Sequence, residues 1–168
     1  MAEPGEHDGD DRLHLEDLHL GQRFTSGTHA LDAAQIKAFA GRFDPQPFHL
    51  DEEAARGTPL AGLAASGWHT AALTMRLLVE GGAPIAGGII GVGAEIGWPR
   101  PTRAGDILRV ESEVVAVTPS RSRPDRGLVI LRSETRNQRG EVLQVLTAKL
   151  VVPRGRAPGG ATKGTLSP

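Results

Sequence analysis

The chain lacks cysteine and tyrosine and has only four phenylalanines and two tryptophans among its 168 residues. Without cysteine it can form no disulfide, no thiolate metal site and no cysteine nucleophile. Because aromatic residues are scarce, aliphatic side chains and alanine must fill most of the core. The apolar content of 39% is sufficient for that purpose. A chain of this length is expected to form one domain.

An excess of charge of one sign and long apolar runs are also missing. The net charge of −1 and the isoelectric point near 6.6 give no electrostatic reason to expect nucleic acid or an anionic membrane as a partner. No apolar run approaches the roughly 18 residues of a membrane-spanning helix. The acidic, polar N-terminus does not resemble a signal peptide. These features predict a cytoplasmic protein that binds neither membranes nor nucleic acid.

The two ends of the chain differ in composition from the middle. Residues 1–12 are rich in Glu, Asp and Gly and are predicted to be disordered, and residues 154–168, rich in Gly and Pro, are predicted to be a flexible tail. A single domain is therefore predicted over residues 13–153. No metal site is predicted, because compact ligand spacing is missing from the N-terminal histidines His7, His14 and His19.

Helical patterns occupy the first half of the domain, after a predicted strand over residues 22–30. Asp32 can cap a helix at its N-terminus, and Gln35, three residues later, can reach back to form a capping box. The helix should end at Asp44, because Pro45 cannot continue it. Its apolar stripe comprises Ile36, Phe39, Ala40 and Phe43.

Two more helices are predicted before the pattern changes. Acidic residues 51–53 should begin a short helix that ends by Gly57 and Pro59. Ser66 can cap a helix that runs to about Glu80. Apolar residues cover most of the circumference of this helix, which predicts that it is buried. His69, a polar exception, is interpreted as a packing residue rather than a catalyst.

A period of two then replaces the helical period. Residues 90–98 alternate apolar residues with glycines, and a glycine in a strand often marks the close approach of another element or of a ligand. A second strand is predicted over residues 107–117. Residues 128–136 and 142–152 should form a hairpin around the turn 137–140. One buried helix followed by connected strands predicts an α+β fold in which an antiparallel sheet wraps around a long central helix.

Asp44 and His49 lie five residues apart, separated by two prolines. A regular helix would point their side chains about 140° apart, but Pro45 and Pro47 instead favour a stiff, bent loop. Such a loop can direct an acid and an imidazole, a common pair for proton transfer, into one cleft. The alternative is that Asp44 only ends a helix and His49 makes a structural hydrogen bond.

Residues 39–51, with the segment 64–70, resemble the MaoC-like (R)-specific enoyl-CoA hydratases, in which an Asp, a residue that is usually Asn, Pro, an aliphatic residue and His form the hydratase motif. The resemblance extends over roughly residues 20–153. Gln46 stands where Asn is usual, and Ser66 stands where a His commonly precedes the glycine. The resemblance implies the hotdog fold and a homodimer, or a multiple of it, in which two sheets become continuous.

The resemblance also implies a reaction, the reversible syn addition of water to a trans-2-enoyl thioester. Asp44 would take a proton from water, and His49 would hold that water and help to protonate C2. Backbone N–H groups near Ser66 and Gly67 could stabilise the thioester oxygen, while Gly67 would let the acyl group approach closely and Gln46 would brace the loop. No cofactor is implied beyond coenzyme A, or an acyl carrier protein, as part of the substrate.

Two other functions remain open. The chain could be an acyl-CoA thioesterase on the same scaffold, or a subunit that binds acyl thioesters without turnover, since a fold does not determine function. Contact with the phosphates of coenzyme A is a further hypothesis, and a solvated basic surface is its alternative. The arginines concerned are Arg100, Arg103, Arg121, Arg123 and Arg126.

Overall fold

The computed structural model describes residues 11–155; of the tails predicted over residues 1–12 and 154–168, residues 1–10 and 156–168 lie outside this range. A 3₁₀ turn, Leu15–Asp17, precedes the first strand. The helices are α1 (Ala33–Phe43), α2 (Pro47–Leu50), α3 (Glu52–Arg56) and α4 (Gly67–Leu77). The strands are β1 (Arg23–Ala30), β2 (Ile90–Gly97), β3 (Ile107–Pro119), β4 (Arg126–Arg136) and β5 (Val142–Pro153).

The five strands form one antiparallel sheet in the order β1-β3-β4-β5-β2. Its inner face packs on α4, from which Leu73 and Leu77 join a buried cluster with Leu108 and Val110 of β3. Each such side chain contributes about 1.5–3 kcal/mol by leaving water. The predicted α+β architecture and the β4–β5 hairpin are therefore confirmed.

The capping box predicted at the start of α1 is only half formed. The Asp32 carboxylate accepts a hydrogen bond from the backbone N–H of Gln35 at 2.8 Å. The side chain of Gln35 does not accept from the backbone N–H of Asp32, although it lies near enough to the Asp32 carboxylate to help lower its pKa. It instead donates to the carbonyl oxygen of Ala30 and contacts the His29 ring, so it ties the helix to the end of β1.

Helix α4 is shorter and more exposed than its sequence predicted. The regular helix ends at Leu77, and a π turn, Leu78–Gly82, follows in which Gly81 has φ 146°. Trp68, Met75 and Val79 are 61%, 41% and 64% exposed. One side of the helix packs on the sheet, while its opposite side has no partner within the described part of the chain.

Strand β2 lies at an edge of the sheet and pairs only with β5. A Cβ atom added at Gly91, Gly93 or Gly97 would meet no atom of the described chain within 4 Å. Close packing within residues 11–155 therefore does not explain these three glycines. Ile90 and Val92 on the same strand are 55% and 59% exposed.

The ordered domain extends slightly beyond the predicted boundary at residue 153. The backbone N–H of Arg154 donates to the carbonyl oxygen of Asp125 at 2.8 Å, and that of Gly155 donates to the Glu16 carboxylate at 3.0 Å. These contacts fasten the end of β5 to the 3₁₀ turn. None of the helices between residues 11 and 155 has the length and apolar character that a bilayer crossing requires.

Candidate active site

The segment that joins α1 to α2 brings the predicted acid and imidazole together. Asp44 ends α1, and its backbone N–H still donates to the carbonyl oxygen of Ala40. The loop predicted from Asp44 to His49 is shorter than expected, because a helical turn already begins at Pro47. Proline is well tolerated at the first helical position, where its missing N–H would have no partner. His49 is therefore carried on α2 rather than on a loop.

Asp44 and His49 face each other across a short gap. The distance from His49 Nε2 to Asp44 Oδ2 is 3.4 Å, and His49 is 6% exposed. On the other side of the ring, Nδ1 lies 2.7 Å from the carbonyl oxygen of Ala64. Since a carbonyl can only accept, Nδ1 carries a proton in this contact, and Nε2 is the ring nitrogen that faces Asp44.

The carboxylate of Asp44 has two further partners. Ser66 Oγ donates to Oδ2 at 2.6 Å, and Gln46 Nε2 donates to Oδ1 at 2.7 Å. The hydrogen bond from Ser66 is the main cause that holds the pKa of Asp44 below its usual range; burial opposes it, and Gln46 and His49 add to it. Asp44 is therefore ionised at neutral pH and able to accept a proton.

Ser66 occupies the predicted N-cap of α4, and its side chain does more than cap. Its hydroxyl oxygen accepts a hydrogen bond from the backbone N–H of Trp68 at 3.3 Å, while its hydroxyl group donates a hydrogen bond to Asp44. Ser66 is fully buried. The sequence predicted the side-chain cap and a role for nearby backbone groups, but not the contact with Asp44. The contact with Asp44 joins residues 22 positions apart, for which sequence spacing holds no signal.

Gly67 is the first residue of α4, and its backbone N–H has no acceptor among the described residues. A Cβ atom at this position would lie 2.7 Å from the indole ring of Trp98. The sequence attributed the need for glycine to the approach of an acyl group. Within the described chain it is Trp98 that approaches, and no sequence pattern had assigned Trp98 to the site.

These groups open on a pocket of about 520 Å³. Asp44, Gln46 and His49 line it together with the start of α4. The segment after β2, residues 98–102, also lines it. Apolar rings and aliphatic groups make up much of the remaining lining, so the acid and the imidazole meet a substrate in a largely apolar space.

The five arginines considered for phosphate contact differ in their positions and contacts. Arg100 lines the pocket. Arg103 does not serve as a free phosphate ligand, because its guanidinium donates to the carbonyl oxygens of Leu60, Gly62 and Leu63 and so holds the loop before α4. The other three, Arg121, Arg123 and Arg126, lie at the β3–β4 turn, about 33 Å from the pocket end of the β4–β5 hairpin.

His69 lies outside the pocket lining and packs against α1. Its ring stacks on Phe39 with centroids 4.5 Å apart and planes 3° apart. Burial is the main cause that lowers the pKa of His69. The neutral ring leaves Nδ1 buried without a hydrogen-bond partner among the described residues. The geometry fits the packing role predicted for it.

Known proteins are similar to this chain in fold and in sequence. A MaoC-like dehydratase from Rhodospirillum rubrum is 65% identical, with a TM-score of 0.85 over 86% of this chain and 99% of that one. The R-hydratase PhaJ1 from Pseudomonas aeruginosa is 26% identical, with a TM-score of 0.67 over 86% and 88%. A 3-hydroxybutyryl-CoA dehydratase from Methylorubrum extorquens is 31% identical over 66% of this chain and 69% of its own length.

These neighbours confirm the predicted hotdog fold, in which the sheet wraps around α4. The family described as the MaoC like domain matches residues 18–133, which include Asp44, His49, Ser66 and Gly67. The chain belongs to the MaoC-like dehydratase family.

Proposed function

We propose that the chain is an (R)-specific enoyl-CoA hydratase, which adds water reversibly and with syn geometry to a trans-2-enoyl thioester. The observation that carries the proposal is the 3.4 Å approach of His49 Nε2 to an ionised Asp44 at the wall of the pocket. Both atoms are acceptors when His49 is neutral, so a water molecule can donate one proton to each.

Asp44 acts as the base. It takes a proton from the water as the water oxygen bonds to C3, and the electrons of the C2–C3 double bond move toward the thioester carbonyl. When they return, C2 takes a proton from the Asp44–His49 pair. One water is consumed, its hydroxyl at C3 and its proton at C2, and the pair regains its starting state. Asp44 and His49 lie on one wall, so both additions occur on one face of the alkene.

The negative charge that develops on the thioester oxygen needs a donor already in place. The backbone N–H of Gly67 meets this need, since it stands at the positive end of α4 and borders the pocket. Gln46 and Ser66 hold the carboxylate of Asp44 in position by their hydrogen bonds. The reaction requires no cofactor besides coenzyme A, or an acyl carrier protein, as part of the substrate.

The relatives support the reaction class and the hand of the product. One is a 3-hydroxybutyryl-CoA dehydratase, which names the reverse reaction on a four-carbon substrate. Another is an R-hydratase. We propose the (R)-3-hydroxyacyl thioester as the product and the cytoplasm as the location.

We also propose a homodimer, formed through β2 and the exposed side of α4. The edge of β2 offers unpaired backbone groups, and such edges are usually covered in native proteins. Three glycines on β2 have no neighbour within the described chain, which leaves space for the close approach of a second backbone. Light scattering should show a dimer or a multiple of it. Val92→Glu should shift it to monomer, whereas Val115→Glu, on the interior strand β3, should not.

A spectroscopic assay tests the proposed reaction. Wild-type protein mixed with crotonyl-CoA should lower the absorbance of the enoyl thioester without releasing free thiol. Release of thiol would identify a thioesterase, and tight binding of acyl-CoA without any turnover would identify a binding subunit. Chiral chromatography of the product, formed in deuterated water, should give the (R) alcohol with deuterium at C2 in syn placement. An (S) product or anti placement would contradict the roles given to Asp44 and His49.

A further inference from the structure

Two cavities border helix α4 at different points along its length. The active-site pocket reaches Gly67, Trp68 and Thr70 on the helix. A second cavity of about 270 Å³ begins at Met75 and Leu78, further along the helix. The step from Thr70 to Met75 is only about 7.5 Å along the helix axis. The second cavity is lined mainly by apolar side chains of α4, β2 and β5.

The indole of Trp98 lines the active-site pocket and lies beside the part of β5 that leads to the second cavity. Gly97 pairs with Val145 across the β2–β5 ladder, so the next position places Trp98 beside Gln144. The indole Nε1 donates to Gln144 Oε1 at 2.9 Å. Two residues after Gln144 on the same face of β5 comes Leu146, which already lines the second cavity.

Buried hydrogen bonds hold the partner of the Trp98 indole, Gln144, in place. Gln144 is 0% exposed, and its Nε2 donates to Thr74 Oγ1 at 2.9 Å. Thr74 in turn bonds to Thr135 of β4 and to the carbonyl oxygen of Thr70. The cluster therefore joins α4, β4 and β5 behind the indole. A satisfied buried network of this kind is rigid, because breaking any one bond leaves a polar group unpaired away from water.

Helix α4 confines the indole on one further side, although Trp98 as a whole is 41% exposed. The Cα of Gly67 lies so close that a Cβ there would be 2.7 Å from the ring. Trp68 meets the ring edge-on, with centroids 5.5 Å apart. The ring therefore has a tight seat between α4 and the amide of Gln144.

We propose that Trp98, held by Gln144, closes the acyl end of the active-site pocket and makes the chain selective for short enoyl thioesters such as the four-carbon crotonyl group. This inference rests on the proposed hydratase function. A longer apolar tail would have to displace the indole and pass the polar groups of Gln144 and Thr74 to reach the second cavity. Leaving those polar groups without partners opposes such a passage.

The test compares kcat/KM for crotonyl-CoA and trans-2-octenoyl-CoA. Wild-type protein should prefer the four-carbon substrate. Trp98→Ala should join the two cavities and raise the ratio of the eight-carbon to the four-carbon value by at least about tenfold, in the range of hydrophobic pocket discrimination. Leu20→Ala is the control: it removes an exposed apolar side chain that lines neither cavity and should leave the ratio unchanged.

A wild-type protein that uses octenoyl-CoA as well as crotonyl-CoA would overturn the proposal without any variant. So would a folded Trp98→Ala protein that keeps the wild-type ratio, or a Leu20→Ala protein that changes the ratio equally. Calorimetric Kd values for butyryl-CoA and octanoyl-CoA give the same comparison without turnover, with the gain for octanoyl-CoA expected in Trp98→Ala alone. If no enoyl-CoA is hydrated, the proposed function fails, while these Kd values still decide the role of Trp98.

Discussion

Helix α4 contributes to two buried polar clusters. The open cluster, at its N-terminus, comprises Asp44, His49 and Ser66. The closed cluster, two turns later, comprises Thr74, Thr135 and Gln144. In the first, Ser66 donates to Asp44, which faces His49 across 3.4 Å at the edge of a pocket. In the second, Thr74 bonds to Gln144 and Thr135 at 2.9 and 2.5 Å, and all three residues are 0% exposed. Both clusters join α4 to distant parts of the chain.

The two clusters differ in whether all of their hydrogen-bonding groups have partners within the described chain. The second cluster contains only neutral groups, and each side chain in it is hydrogen-bonded, which fixes how helix and sheet pack. The first contains an ionised acid and an imidazole nitrogen that no group of the described chain bonds directly. An arrangement that keeps acceptors open toward a pocket is suited to hold a water and to move its protons. The closed cluster is therefore suited to fix the packing of α4 on the sheet, and the open cluster is suited to proton transfer.

The largest expected effect comes from removing the charge of the open cluster. Asp44→Asn should lower kcat on crotonyl-CoA by at least about 100-fold, because the amide cannot take a proton from water. Its melting temperature should fall only modestly, since the amide keeps a similar shape and loses only the charge-assisted part of the hydrogen bonds from Ser66 and Gln46. Steady-state kinetics and a thermal melt measure both quantities. A rate near that of the wild type would remove Asp44 from the mechanism.

The imidazole of the open cluster should matter nearly as much. His49→Ala should also lower kcat by at least about 100-fold, because the water loses its second acceptor and C2 loses its proton route. Imidazole added to the variant should restore part of the rate if the role is chemical, and a merely structural role would give no such rescue. A variant with almost full activity would limit His49 to its hydrogen bond with Ala64.

A smaller effect is expected from the groups that tune Asp44. Ser66→Ala removes the main cause of its low pKa, so the pKa should rise and the acid limb of the kcat/KM profile should move to higher pH. The sign follows because Asp44 works as the deprotonated base. Gln46→Ala should shift the limb in the same direction but less, because the hydrogen bond of Gln46 is the weaker cause. Unchanged acid limbs in both variants would contradict this account.

The same low pKa links Asp44 to stability. A carboxyl whose pKa is depressed in the folded state contributes stability above its unfolded pKa and loses it as pH falls through its folded pKa. Acid unfolding of Ser66→Ala should therefore lack part of this pH-dependent loss. Denaturant titrations at neutral and acid pH compare the two proteins.

The smallest expected effect is on the closed cluster. Thr135→Val removes one hydroxyl and keeps the side-chain shape, so the free energy of unfolding should fall by about 1 kcal/mol. Activity on crotonyl-CoA should stay near the wild-type value, because Thr135 does not reach the active-site pocket. Urea denaturation beside a kinetic assay tests this pair of outcomes. A large loss of activity in a stable protein would mean that the two clusters are functionally coupled.

Several features followed from local patterns in the sequence. Asp32 and Pro45 bound helix α1, and alternation of apolar residues marked the four strands after α4, because both signals act between neighbours along the chain. The Asp44-to-His49 motif could be found for the same reason, since both residues lie within one short segment.

The tertiary structure decided the contacts between distant segments. The hydroxyl of Ser66 reaches Asp44 over 22 residues, and the indole of Trp98 reaches Gln144 of the closed cluster over 46. In the folded protein Arg103 also donates to backbone carbonyls. One side of α4 is exposed, although the composition of this helix predicted that it is buried. Such partnerships depend on how the sheet curls around α4 and on which edges remain uncovered. No periodicity in a single sequence carries that information, because the groups meet only after the chain has folded.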